Sequence, residues 1–127
     1  MANDFTALGS ALAGYLGTAG TVPAYYALAP QGQQPPYCII QRQAAVDEYT
    51  FTDNGVSTDY VVKVVSNRNW PGEAYQVYGH IHDAMQDAPL SVTGFQLLRC
   101  RRRSTVEYRE QAGYWHVGGL YSIDIWE

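Results

Sequence analysis

Lysine is almost missing from this sequence: of eight basic residues, only Lys63 is not arginine. No stretch approaches the roughly 18–20 continuous apolar residues of a membrane-spanning helix, so no membrane partner is expected. The N-terminal MANDFTALGSALAGYLGTAG lacks a basic leading region, and Asp4 argues further against a secretory signal; a cytosol-like compartment is expected. Cysteine is scarce as well. Cys38 and Cys100 fit neither a zinc site nor a disulfide framework, and both are expected to act as small buried hydrophobes. Also absent are a G-x-S-x-G elbow, a P-loop and a G-x-G-x-x-G turn, and the glycine-rich N-terminal segment has no strand before it. These absences leave no cofactor, no metal and no catalytic residue to nominate. What remains is 127 residues with 46% hydrophobic and 16% charged content, expected to form one globular domain over 1–127.

Periodicity assigns the elements. Phe5, Leu8, Leu12 and Tyr15/Leu16 recur at helical spacing behind a cap at Asn3 or Asp4, with Gly17 and Gly20 as stop signals. The opposite face, Gly9, Ser10, Ala13 and Gly14, is small enough for another element to approach closely. A proline-punctuated connector follows, with a short extended piece at Tyr25–Leu28. A strand opens at Cys38 and runs towards Tyr49 and Phe51. Asp53-Asn54-Gly55 supplies a hairpin turn, and the return strand carries Tyr60 to Val65. The far end of this long hairpin, near residues 47–59, is polar and acidic and suits a projection beyond the core. A second helix starts near Asn69-Trp70-Pro71, bears Ala74, Val77, Tyr78, Ile81, Ala84/Met85 and Ala88 on its apolar stripe, and stops at Pro89. Alternation over 98–109 gives a strand whose odd positions are wholly polar and whose even positions, among them Val106 and Tyr108, face inward. The last strand buries Trp115, Val117, Tyr121, Ile123 and Ile125, with a bulge at Gly118-Gly119. The fold class is α+β: a mostly antiparallel sheet of about four to five strands with two helices packed on it.

The polar candidates are few. His80 and His82 are two apart on a helix, hence about 200° apart around it, and cannot share a metal; both are expected beside the apolar stripe towards solvent. His116 falls on the polar face of the last strand. Asp83 and Asp87 belong to a solvated helix face. Charge is more informative. Residues 1–98 hold three basic and eight acidic side chains, residues 99–127 five basic and four acidic. Arg99, Arg101 and Arg103 on one strand face would set guanidinium forks roughly 6–7 Å apart, suited to carboxylates of a neighbouring subunit or to phosphates. The acidic and aromatic residues Asp47, Glu48, Tyr49, Phe51, Asp53 and Asp59 of the hairpin form the complementary candidate surface. Eleven tyrosines and three tryptophans exceed the needs of a small core and suit interfaces.

Three stretches carry a family resemblance: the short N-terminal helix leading into Ala29-Pro30-Gln31-Gly32 and Pro35-Pro36-Tyr37; the Val-rich strand Asp59–Ser66 followed by a helix over Gly72–Asp87; and the ending Gly119-Leu120-Tyr121-Ser122-Ile123-Asp124-Ile125-Trp126. In these the chain resembles the phage tail terminators, or tail-to-head joining proteins, of long non-contractile tails and gene-transfer particles. The resemblance implies a structural virion protein of the tail or neck, assembled in the host cytoplasm, and not an enzyme. It implies a ring, hexameric in the family, that caps the tail tube, stops its polymerisation and meets the head-side connector. The partners would be further copies of the chain, the tube protein and a neck protein, with DNA passing through the lumen without specific binding. Two rivals stand beside it: another neck or tube component, and a nucleic-acid-binding module built on Arg99–Arg103.

Overall fold

The structure, a computed structural model, describes residues 4–49, 54–86, 92 and 94–126; of the side chains within its elements, those of 4–7, 44–49, 54–56 and 98 are not described. Among the described residues seven elements follow one another: α1 (Asp4–Ala19), β1 (Ala24–Tyr26), β2 (Tyr37–Tyr49), β3 (Asn54–Ser66), α2 (Gly72–Met85), β4 (Gln96–Arg109) and β5 (Trp115–Trp126). The strands form one five-stranded sheet in the order β1-β2-β3-β5-β4. Strand β1 pairs parallel to β2, and the other described pairings are antiparallel. The expected α+β class, with two helices on a mostly antiparallel sheet, is what the chain adopts.

Both helices cover the same face of the sheet. Leu8, Leu12 and Leu16, one helical face of α1, are fully buried, as are Ala74, Ile81 and Met85 of α2. The helices touch each other, Tyr15 donating its hydroxyl proton to the Ala84 carbonyl at 2.8 Å. Beneath them the sheet presents rows of opposed residues: Cys38, Val64 and Val117; Ile40, Val62 and Gly119; Thr58, Ile123 and Cys100. Burying one large aliphatic side chain contributes about 1.5–3 kcal/mol, so this interlocked layer is the main source of stability. At the start of α2, Glu73 accepts from Ser66 Oγ at 2.9 Å and from Arg68 Nε at 3.2 Å. A carboxylate there also favours the positive helix end. Gly20 N donates to Leu16 O and closes α1; Gly17 lies within the helix and does not stop it. Of the small-residue face of α1, Gly9 meets the Tyr26 ring, whereas Ser10 and Gly14 are exposed. Helix α2 ends at Met85, ahead of Pro89, because Gln86 is already extended.

Three details differ from the sequence reading. Pairing of β2 with β3 continues to Glu48↔Gly55 and Tyr49↔Asn54, so Asn54 and Gly55 are strand residues and not the turn. Pairing of β3 with β5 reaches Gly55↔Trp126, so the described part of the hairpin lies within the sheet, while its tip at 50–53 falls outside the described residues. The bulge expected at Gly118-Gly119 is instead in β4, between Arg102 and Ser104; β3 and β5 stay in register through both glycines. The glycines serve close approach: a Cβ on Gly118 would run into Val62 O, and one on Gly119 would run into Tyr78 Oη.

The β4 bulge has a wide effect. One extra residue inverts the alternation for everything after it. Arg99 and Arg101 oppose Asp124 and Ser122 on the helix-free face, and after the bulge Val106 and Tyr108 oppose Gly118 and His116 on that same face. The even positions of this strand therefore do not all face the core. Tyr108 stacks on His116, their rings 4.6 Å apart and nearly parallel. This covering is why His116, on the polar face of the last strand, is only 8% exposed.

Candidate functional site

The helix-free face gathers the arginines. Ser57, Arg99, Arg101, Arg103 and Ser122 line an open depression on it. Arg99 donates from Nε and Nη2 to Asp124 Oδ2 at 3.1 and 2.7 Å, and Ser57 Oγ donates to Asp124 Oδ1 at 2.7 Å. Arg103, at the bulge, donates from Nη1 to Asp59 Oδ2 at 2.9 Å. The two carboxylates are largely covered, while the Arg99 and Arg103 side chains stay 57% and 59% exposed. Pairs this exposed stabilise by under about 1 kcal/mol. Their effect is orientation: each aspartate anchors one edge of a guanidinium and leaves the group at the surface.

The acidic candidates divide. Asp59 joins the arginine face within its own chain. Asp47, Glu48 and Tyr49 occupy β2 opposite Val56, Gly55 and Asn54, on the far side of β3 and β5 from the arginines. Phe51 and Asp53 lie outside the described residues. The sequence reading placed Asp59 with the hairpin acids because it is near them in the chain. Its contact with Arg103 spans 44 residues and has no local signal.

A second polar cluster sits under α2. Tyr78 and Tyr121 share a hydrogen bond of 2.7 Å, Tyr121 Oη lies 2.8 Å from His82 Nδ1, and Arg102 Nη1 donates to Tyr78 Oη at 3.3 Å. Arg102 can only donate. Which way the other two protons run depends on the His82 tautomer, since each tyrosine hydroxyl can both donate and accept. Burial raises the Tyr121 pKa, with the Tyr78 bond adding to it. Burial lowers that of His82, Arg102 adding to the effect and Asp83 opposing it. His82 thus turns inward to this network while His80 is exposed; the two diverge, as their helical spacing requires. The cluster ties α2 to β5 and β4, and Gly119 supplies the space in which Tyr78 Oη meets the sheet.

The third group surrounds His116. Its Nε2 lies 2.8 Å from Glu110 Oε2, and Lys63 Nζ donates to Tyr108 Oη at 2.7 Å over the stacked ring. Burial lowers the His116 pKa; Glu110 opposes and Lys63 reinforces the shift. No group of three or more His, Cys, Asp or Glu side chains poised to hold a metal occurs among the described residues. Several aromatic residues reach solvent: Tyr26, Tyr75, Tyr108 and Trp70, the last 74% exposed. The surplus of tyrosine is thus shared between surface and core, since Tyr60, Tyr78 and Tyr121 are buried.

Comparison with known proteins bears on this surface. The model of the family described as "Tail completion protein gp17" matches residues 6–124. No curated protein matches the chain. Among solved structures, a chain of the "Virion of native gene transfer agent (GTA) particle" is similar with a TM-score of 0.74 and 20% identity, over 97% of this chain and 91% of that one.

Proposed function

The chain belongs to the tail completion protein gp17 family, and from that membership we propose that it is a tail terminator: a ring of copies, six by the family resemblance, that caps the tail tube. The observation that carries the reading is the family match over 6–124. Bound to the last tube ring, the assembly stops polymerisation and offers its other side to the head-side connector or neck. Its place is the tail or neck of a virion, and its work is structural, done by one domain. The histidines favour this over catalysis, since His82 completes a helix–sheet bond network and His116 lies under Tyr108.

The charge pattern supports protein contacts over nucleic-acid contacts. Asp59 and Asp124 stand among Arg99, Arg101 and Arg103, and the whole chain carries −4. A phosphate backbone would meet repulsion from those carboxylates as well as attraction. DNA in the lumen would pass without specific binding.

Electron microscopy of the purified protein tests the reading. Closed single rings are expected; long tubes would identify a tube subunit instead. Particles assembled without this chain are expected to carry tails of uncontrolled length, and tails of normal length would overturn the terminator role.

A further inference from the structure

A closed ring of identical chains uses two different patches on each copy, one meeting the other across every junction. The sheet topology supplies such a pair. Strand β4, with Arg99–Arg103, forms one edge of the sheet. At the opposite side β1 pairs with β2 only at Cys38, Ile39 and Ile40. From Gln41 to Tyr49 the outer edge of β2 has no strand beside it among the described residues. That uncovered stretch includes Asp47 and Glu48.

The two edges also match in level and direction. Arg99 stands in one cross-strand row with Asp124, Ser57 and Val46; Leu97 shares a row with Ile125, Val56 and Asp47; Gln96 shares one with Trp126, Gly55 and Glu48. The acids of β2 and the arginines of β4 are thus within a few residues of the same height, at about 3.3 Å per residue. Strand β4 runs opposite to β5, β5 opposite to β3 and β3 opposite to β2, so β4 and β2 run in opposite directions. A second copy placed beside the first by rotation about an axis along the strands would bring its β2 antiparallel to the first copy's β4. Bulges interrupt both edges, between Arg42 and Ala44 and on either side of Arg99–Arg102. Such bulges suppress indiscriminate edge pairing and leave short regular stretches.

We propose that neighbouring copies join edge to edge, β4 of one against residues 44–49 of β2 in the next, which sets Glu48, in the row of Gln96 and Trp126, on the same helix-free sheet face as Arg99 and Arg101 of the neighbouring edge, while Asp47 falls on the other face. The occupant of the arginine edge is a second copy of this chain. This rests on the ring reading above.

The test is charge reversal with complementation. Wild type, Arg101→Glu and Glu48→Lys are compared by sedimentation velocity. Each variant alone is expected to associate at least about tenfold more weakly than wild type, because like charges meet at every junction. Mixed in equal amounts, the two variants are expected to recover association. Every junction in an alternating ring then pairs opposite charges, and recovery cannot come from a misfolded chain. Wild-type rings together with unimpaired variants, or impaired variants without recovery in the mixture, would overturn the edge pairing and leave the ring reading standing. A wild-type chain that stays monomeric at its highest soluble concentration would overturn both.

Discussion

The hydroxyl oxygens of Tyr78 and Tyr121 lie 2.7 Å apart beneath α2, joining helix to sheet through a polar bond inside an apolar layer. Both groups are satisfied because the bond belongs to a chain with donor-only Arg102 at one end and His82 at the other. Interrupting such a chain leaves buried polar groups unpaired, which costs more than one hydrogen bond contributes.

Tyr121→Phe is therefore expected to destabilise the chain by about 1–3 kcal/mol in denaturant titrations, since it strips a partner from both Tyr78 and His82. Tyr78→Phe should cost less, because the exposed Arg102 regains water. In a double-mutant cycle the two changes should couple by more than about 0.5 kcal/mol. Simple additivity would mean that the bond is not formed.

The paired glycines should rank unequally. Gly118→Ala drives a methyl group into the Val62 carbonyl and the Lys63 backbone of the adjacent strand, which cannot move without breaking the ladder. Gly119→Ala meets the Tyr78 hydroxyl and the Arg102 side chain, which can shift. Overpacking costs about 1–3 kcal/mol where neighbours can give, so Gly119→Ala should fold with a lowered Tm while Gly118→Ala yields little soluble protein. The reverse order would contradict the register.

Acidification should weaken the fold. Burial depresses the pKa of both His82 and His116 from the ordinary 6.5. The unfolded chain then takes up protons first, so stability is full above about pH 6.5 and falls as the pH drops through the lower folded values. For His82, protonation also makes Nδ1 a donor only, so it can no longer accept from Tyr121 Oη. His82→Gln should flatten the slope of stability against pH below 6.5; an unchanged slope would remove His82 from the account.

The exposed ion pairs should matter little to folding. Arg99→Ala and Arg103→Ala are each expected to change the unfolding free energy by under about 1 kcal/mol, as their guanidinium groups are more than half in water. A larger loss would show that the arginine face is built for stability rather than contact.

Both thiols should be inert in the native protein. Cys38 is fully buried, and burial pushes its pKa up to about 12. Cys100 is 1% exposed and donates to the Met85 carbonyl at 3.2 Å. Labelling by a thiol reagent at neutral pH is expected only on unfolding; rapid native labelling of either would contradict this packing.

Local order was legible from residue types alone. Leu8, Leu12 and Leu16 announce α1, Ala74, Tyr78, Ile81 and Met85 announce the buried stripe of α2, and Val61 to Val65 announce a central strand, because burial on one face imposes its period on the sequence. The arginine face was legible too, since Arg99, Arg101 and Arg103 alternate. What was not legible is where an extra residue breaks the alternation. No residue type marks the bulge between Arg102 and Ser104, and it moves Val106 and Tyr108 to the other face, buries His116 and lets Arg103 reach Asp59.

By itself, the sequence determined the class of fold, the elements and the chemistry on offer: an acidic body, one arginine-rich strand, two cysteines suited to burial and histidines too divergent to share a metal. Those follow from composition and period, which local geometry reads directly. Only the tertiary structure decided which groups meet. Sheet order put the arginines and the acids of β2 at opposite edges at matching heights, and bulges decided the faces. Pairing between strands distant in the chain is selected by the packing of the whole sheet, which no single segment encodes.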